Sequence, residues 1–182
     1  MQSQNKIDQL LQRRAGEICE IETKYYELLK NEYLVRSIEI KKIPSFWYKC
    51  LRNHHTLPSL ITEKDWELLQ YIDDLSLDEF TSRNRVKTYK LTIEFKPNLF
   101  INNNSLWAAI NTDELQSYSG SGIDFKAPNS ISNFEEQNKP SFFNIFIGTE
   151  GESALSNSAF VYDIINGIRI DIWEDPLRYY EA

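Results

Sequence analysis

The chain reads as an α+β protein: a long N-terminal helix, then an antiparallel β-meander covered by shorter helices. Three observations carry this reading. A helical apolar stripe runs through about the first forty residues, with no proline before Pro44. The apolar period then changes to two near residue 75. Aromatic residues make up 13% of the chain, four of them Trp, which is enough bulk for a core beyond the helix.

The helix comes first. Stepping from Ile7 by four and three visits Ile7, Leu11, Arg14, Ile18, Ile21, Tyr25, Leu28, Glu32 and Val35, and seven of these nine are apolar. A stripe sustained this long packs on another helix. At about 1.5 Å per residue, residues 2–42 span roughly 60 Å, more than the width of a domain of this size. The seam cannot be buried wholly on its own domain. A second copy is therefore the expected partner, with Ile7, Leu11, Ile18, Ile21, Tyr25, Leu28 and Val35 as dimerisation residues. The expected division is a dimerisation helix over 1–42 and a domain over 43–182.

Pro44 ends the helix near Lys42, because the residue before proline is pushed out of helical backbone. Ser45 is placed to cap a second helix carrying Phe46, Trp47, Cys50 and Leu51. Leu57–Ile61 and Trp66–Ile72 read as short helices, with a cap signal at Thr62-Glu63-Lys64-Asp65 between them. Leu75, Leu77 and Phe80 open a strand. Tyr89, Leu91, Ile93 and Phe95 alternate with Thr88, Lys90, Thr92 and Glu94, the pattern of a half-buried strand. Residues 105–111 predict a third strand, Ser119-Gly120-Ser121-Gly122 a turn, and Ile123–Lys126 a short fourth strand. Residues 127–140 read as a mobile loop. Ser141–Phe146 is a short apolar block, and 153–166 predicts a helix with Leu155, Ala159, Tyr162 and Ile165 on one stripe. Trp173, Tyr179 and Tyr180 are expected to close the core, folded back by Pro176.

Charge is unevenly placed. The net charge is −7. Residues 1–42 hold eight basic and seven acidic side chains, net +1, whereas 43–182 hold twelve and twenty, net −8. From Glu150 onward seven acids face Arg169 and Arg178, net −5. Such a body repels nucleic acid and attracts basic proteins. The best basic cluster, Arg83, Arg85, Lys87 and Lys90, is small and flanked by acids, so direct DNA binding is not expected. Cys19 and Cys50 are the only cysteines and lack metal-ligand spacing, which fits a reducing compartment. No apolar run approaches 18 residues, so no membrane span is expected.

Signatures of chemistry are sparse. There is no Gly-x-Ser-x-Gly elbow and no Gly-Lys-Ser/Thr phosphate loop. His54 and His55 are adjacent, so their rings are expected to diverge and serve a helix end rather than a metal. The acid pairs Asp73-Asp74, Asp78-Glu79, Asp113-Glu114 and Glu135-Glu136 suit a solvated surface; a hydrolase would need two of them to converge. The expectation is a protein that is not an enzyme, with no cofactor and no metal.

Three separated blocks carry a resemblance. Ile43-Pro44-Ser45-Phe46-Trp47 with Leu51 and Asn53-His54, then Ser141-Phe142-Phe143-Asn144-Ile145-Phe146, then Asp171-Ile172-Trp173-Glu174-Asp175-Pro176-Leu177-Arg178-Tyr179-Tyr180, resemble blocks of the nucleosome assembly protein family, in its SET-like branch. The resemblance covers nearly the whole chain. It implies a headphone-shaped homodimer, in which antiparallel long helices form the band and an αβ earmuff hangs from each end. It also implies a histone chaperone of the nucleus, shuttling with the cytoplasm, which binds core histones on an acidic surface and promotes nucleosome assembly and disassembly. The alternative is an adaptor of the same fold that docks a histone acetyltransferase, a phosphatase or another chromatin enzyme. Histone-contact candidates are Asp113, Glu114, Glu150, Glu152, Asp163, Asp171, Glu174 and Asp175, chosen because they lie in the acidic C-terminal half. Two features depart from the family pattern: the family usually ends in a long Asp/Glu tail and this sequence stops at Glu181-Ala182, and the basic loop before the Phe-Phe block is replaced by a shorter, mildly acidic and neutral stretch.

Overall fold

The computed structural model describes residues 2–81, 87–111, 118–136, 139–148 and 154–181, with residues 2 and 154–158 as backbone only. Helix α1 runs over Gln2–Ile40, α2 over Phe46–Asn53, α3 over Leu57–Leu60 and α4 over Glu63–Leu69. Strands β1 (Ile72–Thr81), β2 (Lys87–Phe95), β3 (Ser105–Asn111) and β4 (Tyr118–Gly120) form one antiparallel sheet in sequence order. Helices α5 (Ala154–Gly167) and α6 (Pro176–Tyr180) close the chain, joined by a π-helical segment at Ile168–Trp173. The α+β meander is as the sequence predicts. No described helix is long and apolar enough to cross a membrane.

The period-two patterns become the sheet faces. Leu75, Leu77, Leu91, Ile93, Leu106, Ala108 and Ile110 are buried, while the residues between them keep part of their surface. Register follows from that alternation: Leu77 pairs with Leu91 and Leu91 with Ala108. The Phe142–Phe146 block is a fully buried 3₁₀ turn packed on the same core. Burying five consecutive residues needs their backbone satisfied, and Ser141 begins that by accepting the Phe143 amide on its hydroxyl at 3.0 Å.

Five expectations are corrected. The fourth strand is Tyr118–Gly120, not Ile123–Lys126; only Phe125 of the latter makes a bridge, to Ile101 outside the sheet. Gly120 belongs in that strand because the backbone of Phe146 lies against it, where an added Cβ would sit 2.1 Å from the Phe146 carbonyl oxygen. Ile72 joins β1 rather than a helix, and α4 stops at Leu69. Ser45 takes a left-handed backbone (φ 55°) and does not cap α2 with its side chain. In the stretch read as a mobile loop, Phe134 is fully packed in the core and its carbonyl accepts the Thr62 hydroxyl at 2.9 Å. One large aromatic anchors a segment whose composition is otherwise that of a loop. The fifth correction, to the histidines, belongs with the site below.

Helix α1 has two faces. Tyr26, Tyr33, Arg36, Ser37 and Ile40 turn towards the body of the protein. The predicted seam does not. Ile7, Leu11, Ile18, Ile21, Tyr25, Leu28 and Val35 are 47–59% exposed in the single chain.

Candidate functional site

The first and last sequence blocks meet in space. The indoles of Trp47 and Trp173 stack at 6.2 Å, and the rings of Phe46 and Tyr180 at 4.9 Å. The Cys50 thiol donates to the Pro176 carbonyl at 3.3 Å, and the Asn53 amide to the Tyr179 carbonyl at 2.8 Å. Burial pushes the Cys50 thiol up to about 12. The Arg36 guanidinium lies 4.4 Å above the Trp173 ring and donates to its carbonyl oxygen at 2.8 Å. These contacts set the base on which the acidic C-terminal segment is displayed.

Of the eight acidic candidates, Asp113, Glu114, Glu150 and Glu152 lie outside the described residues. Asp163 on α5 and Glu174 after the π-helical segment are exposed. Asp175 is also exposed, but its carboxylate caps α6 by accepting the Arg178 amide at 3.4 Å. Asp171 is half-buried and accepts from the His54 ring at 3.1 Å. The structure therefore gathers Asp163, Asp171, Glu174 and Asp175 on consecutive elements and gives two of them internal work as well.

Further acids, of which sequence reading named Asp74 and Glu79 only as members of surface pairs, line the junction of α1 with β1 and β2. Asp74 accepts from the Trp47 indole at 3.1 Å and lies 3.3 Å from Lys41, which also meets Glu94 at 2.9 Å. Lys87 bridges Glu22 at 2.8 Å and Glu79 at 3.1 Å. The available signal was strand alternation, which sets Asp74, Ser76 and Asp78 on the face away from Leu75 and Leu77. Lys41 and Lys87 are thus each shared by two carboxylates. In the basic cluster, Lys87 is engaged in this way, Lys90 lies 4.9 Å over the Trp107 ring, and Arg83 and Arg85 fall outside the described residues.

The two histidines do not diverge. Their rings stack at 4.2 Å, and Tyr179 lies 5.0 Å from the His54 ring. The extended backbone at His54 turns the chain after α2 and lays His55 back on its neighbour. Nitrogen donors of both rings and an oxygen of Asp171 lie within 4.8 Å of one another. The hydrogen bonds argue against a metal there. His54 Nδ1 accepts the backbone amides of Thr56 at 3.2 Å and Leu57 at 3.1 Å, so the ring hydrogen belongs on Nε2, aimed at Asp171. A metal on Nε2 would force that hydrogen onto Nδ1, against two N–H donors. His54 is thus a helix-end device for α3. Burial holds it below the ordinary imidazole value, and the Asp171 hydrogen bond pulls the other way.

A family model described as nucleosome assembly protein matches residues 17–133, from within α1 through the whole sheet. The chain belongs to the nucleosome assembly protein family. NAP1-related protein 2 of Oryza sativa subsp. indica is 27% identical over 97% of this chain and 73% of its own length. Protein SET of Drosophila melanogaster is 28% identical over 97% and 70%. Among solved structures, nucleosome assembly protein S from Plasmodium falciparum superposes with a TM-score of 0.73 at 29% identity, covering 97% of this chain and 95% of that one. Vps75, at 14% identity and TM-score 0.66, shares the fold. The family match stops short of the Phe142–Phe146 and Asp171–Tyr180 blocks, yet both belong to the one core that contains the matched sheet.

Proposed function

We propose that this chain is a histone chaperone of the nucleus: it binds core histones on the acidic surface of residues 43–182, promotes nucleosome assembly and disassembly, and acts as a dimer through residues 1–42. The observation that carries the reading is a family member whose charge of −8 lies wholly beyond a long helix with an uncovered apolar seam. The mechanism is charge exchange. Histone lysines leave DNA phosphates for carboxylates that screen them but hold them less tightly. Exposed ion pairs are weak singly and steer collectively, which suits a carrier that must release its cargo. No bond is made or broken, so neither a catalyst nor a cofactor is required. Asp163 and Glu174 are the strongest described contact candidates, since both are exposed and neither carboxylate caps a helix; Glu150 and Glu152 complete the set.

The test is binding of purified core histones across a salt series. Affinity should fall steeply with salt, because exposed pairs are screened over about 8–10 Å. Reversing Glu150, Glu152, Asp163 and Glu174 to Lys should weaken binding while leaving the melting temperature nearly unchanged. Reversing Asp8, Glu20 and Glu27 on α1 should do much less. Equal losses from both sets would mean diffuse attraction without a dedicated site. No loss from either would pass the lead to the adaptor reading, in which a chromatin enzyme is the partner.

A further inference from the structure

A groove between α1 and the outer face of β1 and β2 is left open by the fold. Its helix wall presents Leu34 and Ile38, which are 60% and 61% exposed and belong to none of the seam positions. Leu34 stands at least about 100° round the helix from Leu28 and Val35, so pairing through the seam leaves it in water. Leu77 and Trp173, both buried, line the groove as well, and the space it encloses is about 530 Å³. Exposed aliphatic side chains continuous with an apolar groove mark a surface that is covered by something else.

The charge inside the groove says what covers it. On the strand wall, Asp74 and Glu94 share Lys41, at 3.3 and 2.9 Å. Asp78 is half-buried and accepts the Tyr26 hydroxyl at 3.1 Å, but among the described residues no cation lies within ion-pair distance of it. Lys90, its cross-strand neighbour, lies instead over the Trp107 ring at 4.9 Å. Lys30, on the helix wall, is exposed and does not reach it. A carboxylate held among apolar side chains is best answered by a cation that arrives with apolar surface of its own.

We infer that the groove docks a short segment of a partner protein in which a lysine or arginine stands among apolar residues. The apolar residues and the stem of the basic side chain lie on Leu34, Ile38 and Leu77, and the cation meets Asp78. This rests on the histone-binding reading above and gives it a second component. Contacts on Asp163 and Glu174 are exposed and screened by salt. An ion pair inside a partly dry groove, with apolar area buried around it, is screened much less.

Purified core histones and the full chain test this. At about 0.5 M salt, where exposed pairs are largely screened, the parent should still bind. Leu34→Arg and Asp78→Asn should each weaken that residual binding about tenfold, with the oligomeric mass by analytical ultracentrifugation unchanged from the parent. Residual binding untouched by either variant, or absent in the parent, overturns the proposal while salt-sensitive histone binding stands. A lower mass for Leu34→Arg would place Leu34 on the pairing face and equally overturn it. A parent that binds no histone even at low salt fails the reading on which this rests, a distinguishable result. Thiol alkylation gives a second measurement in a Cys19→Ser background, where the remaining Cys50 is buried. Histones should slow alkylation of Leu34→Cys about tenfold and leave Leu99→Cys, 78% exposed on the loop after β2, unchanged. Equal slowing at both would mean diffuse coating, and slowing that tracks the concentration of the chain alone would mean a second copy in the groove; either refutes the proposal.

Discussion

Asp65 does more for this fold than any of the acids a sequence reading would pick for function. It is fully buried and accepts the Ser141 hydroxyl at 2.6 Å, the Phe142 amide at 2.8 Å and the Thr62 amide at 2.9 Å. Burial pushes its carboxyl up while those donors pull it back. It thereby joins the start of α4 to the Phe142–Phe146 block. Asp65→Ala strands three buried donors, so unfolding free energy should drop by about 3 kcal/mol in urea titration. A loss under about 1 kcal/mol would mean the donors find other partners. Trp173 is the aromatic counterpart, 7% exposed between Trp47, Tyr33 and the Arg36 guanidinium. Trp173→Ala should cost roughly 3–5 kcal/mol, read the same way. Half of the Asp65 network was legible. Thr62-x-x-Asp65 is a capping signal, and the box forms, with the Asp65 amide donating to the Thr62 hydroxyl at 3.0 Å. The other half was not, because Ser141 is 76 residues away and no local pattern links the two.

At the scale of elements, α1 is the case where sequence and structure each supply one face. The seam was readable because its period is local and uninterrupted. The second face is made of single polar and aromatic residues whose partners lie on β1 and the π-helical segment. Tyr26 is the clearest: its hydroxyl meets the Asp78 carboxylate at 3.1 Å and accepts the Glu79 amide at 3.0 Å. Burial pushes the Tyr26 phenol up to about 12, against the Glu79 amide, which pulls it down, and with the Asp78 carboxylate adding to the rise. A group raised in the folded state contributes stability that is full below its unfolded value, near 10, and is lost as pH rises through about 12. Urea midpoints should therefore fall between pH 10 and 12, and Tyr26→Phe should flatten that fall. An unchanged slope in the variant would show that the alkaline loss arises elsewhere. β4 shows the opposite lesson. Its three residues carry no alternation to read, and what places them is the close approach of Phe146 to Gly120.

For the whole molecule, the proposed consequence of the seam is assembly. Ile18, Ile21 and Leu28 leave roughly half of each side chain in water in the single chain. Replacing all three with Asp should give monomers by light scattering, because each change buries a charge in a dry interface at several kcal/mol unless paired. A triple variant that remains dimeric at micromolar concentration would move the interface off the seam. The body should keep its fold in that variant, since Tyr33, Ser37 and Ile40, which dock the helix, are untouched.

The sequence by itself determined the long helix and its apolar stripe, strands β2 and β3, the α4 cap and the acidic balance of the body. Each of these is written in neighbouring residues as a period, a cap or a composition, and so survives being read in one dimension. Tertiary structure decided the rest: that residues 43–54 and 171–180 form one aromatic core, that Asp74 and Glu79 of β1 meet Lys41 and Lys87, that His54 spends its ring on α3 and Asp171, and that Phe134 anchors a loop-like stretch. Those outcomes depend on which distant groups share a volume from which water is excluded. Only there do an unmet donor, an unpaired charge or an unfilled space become costly enough to choose the arrangement.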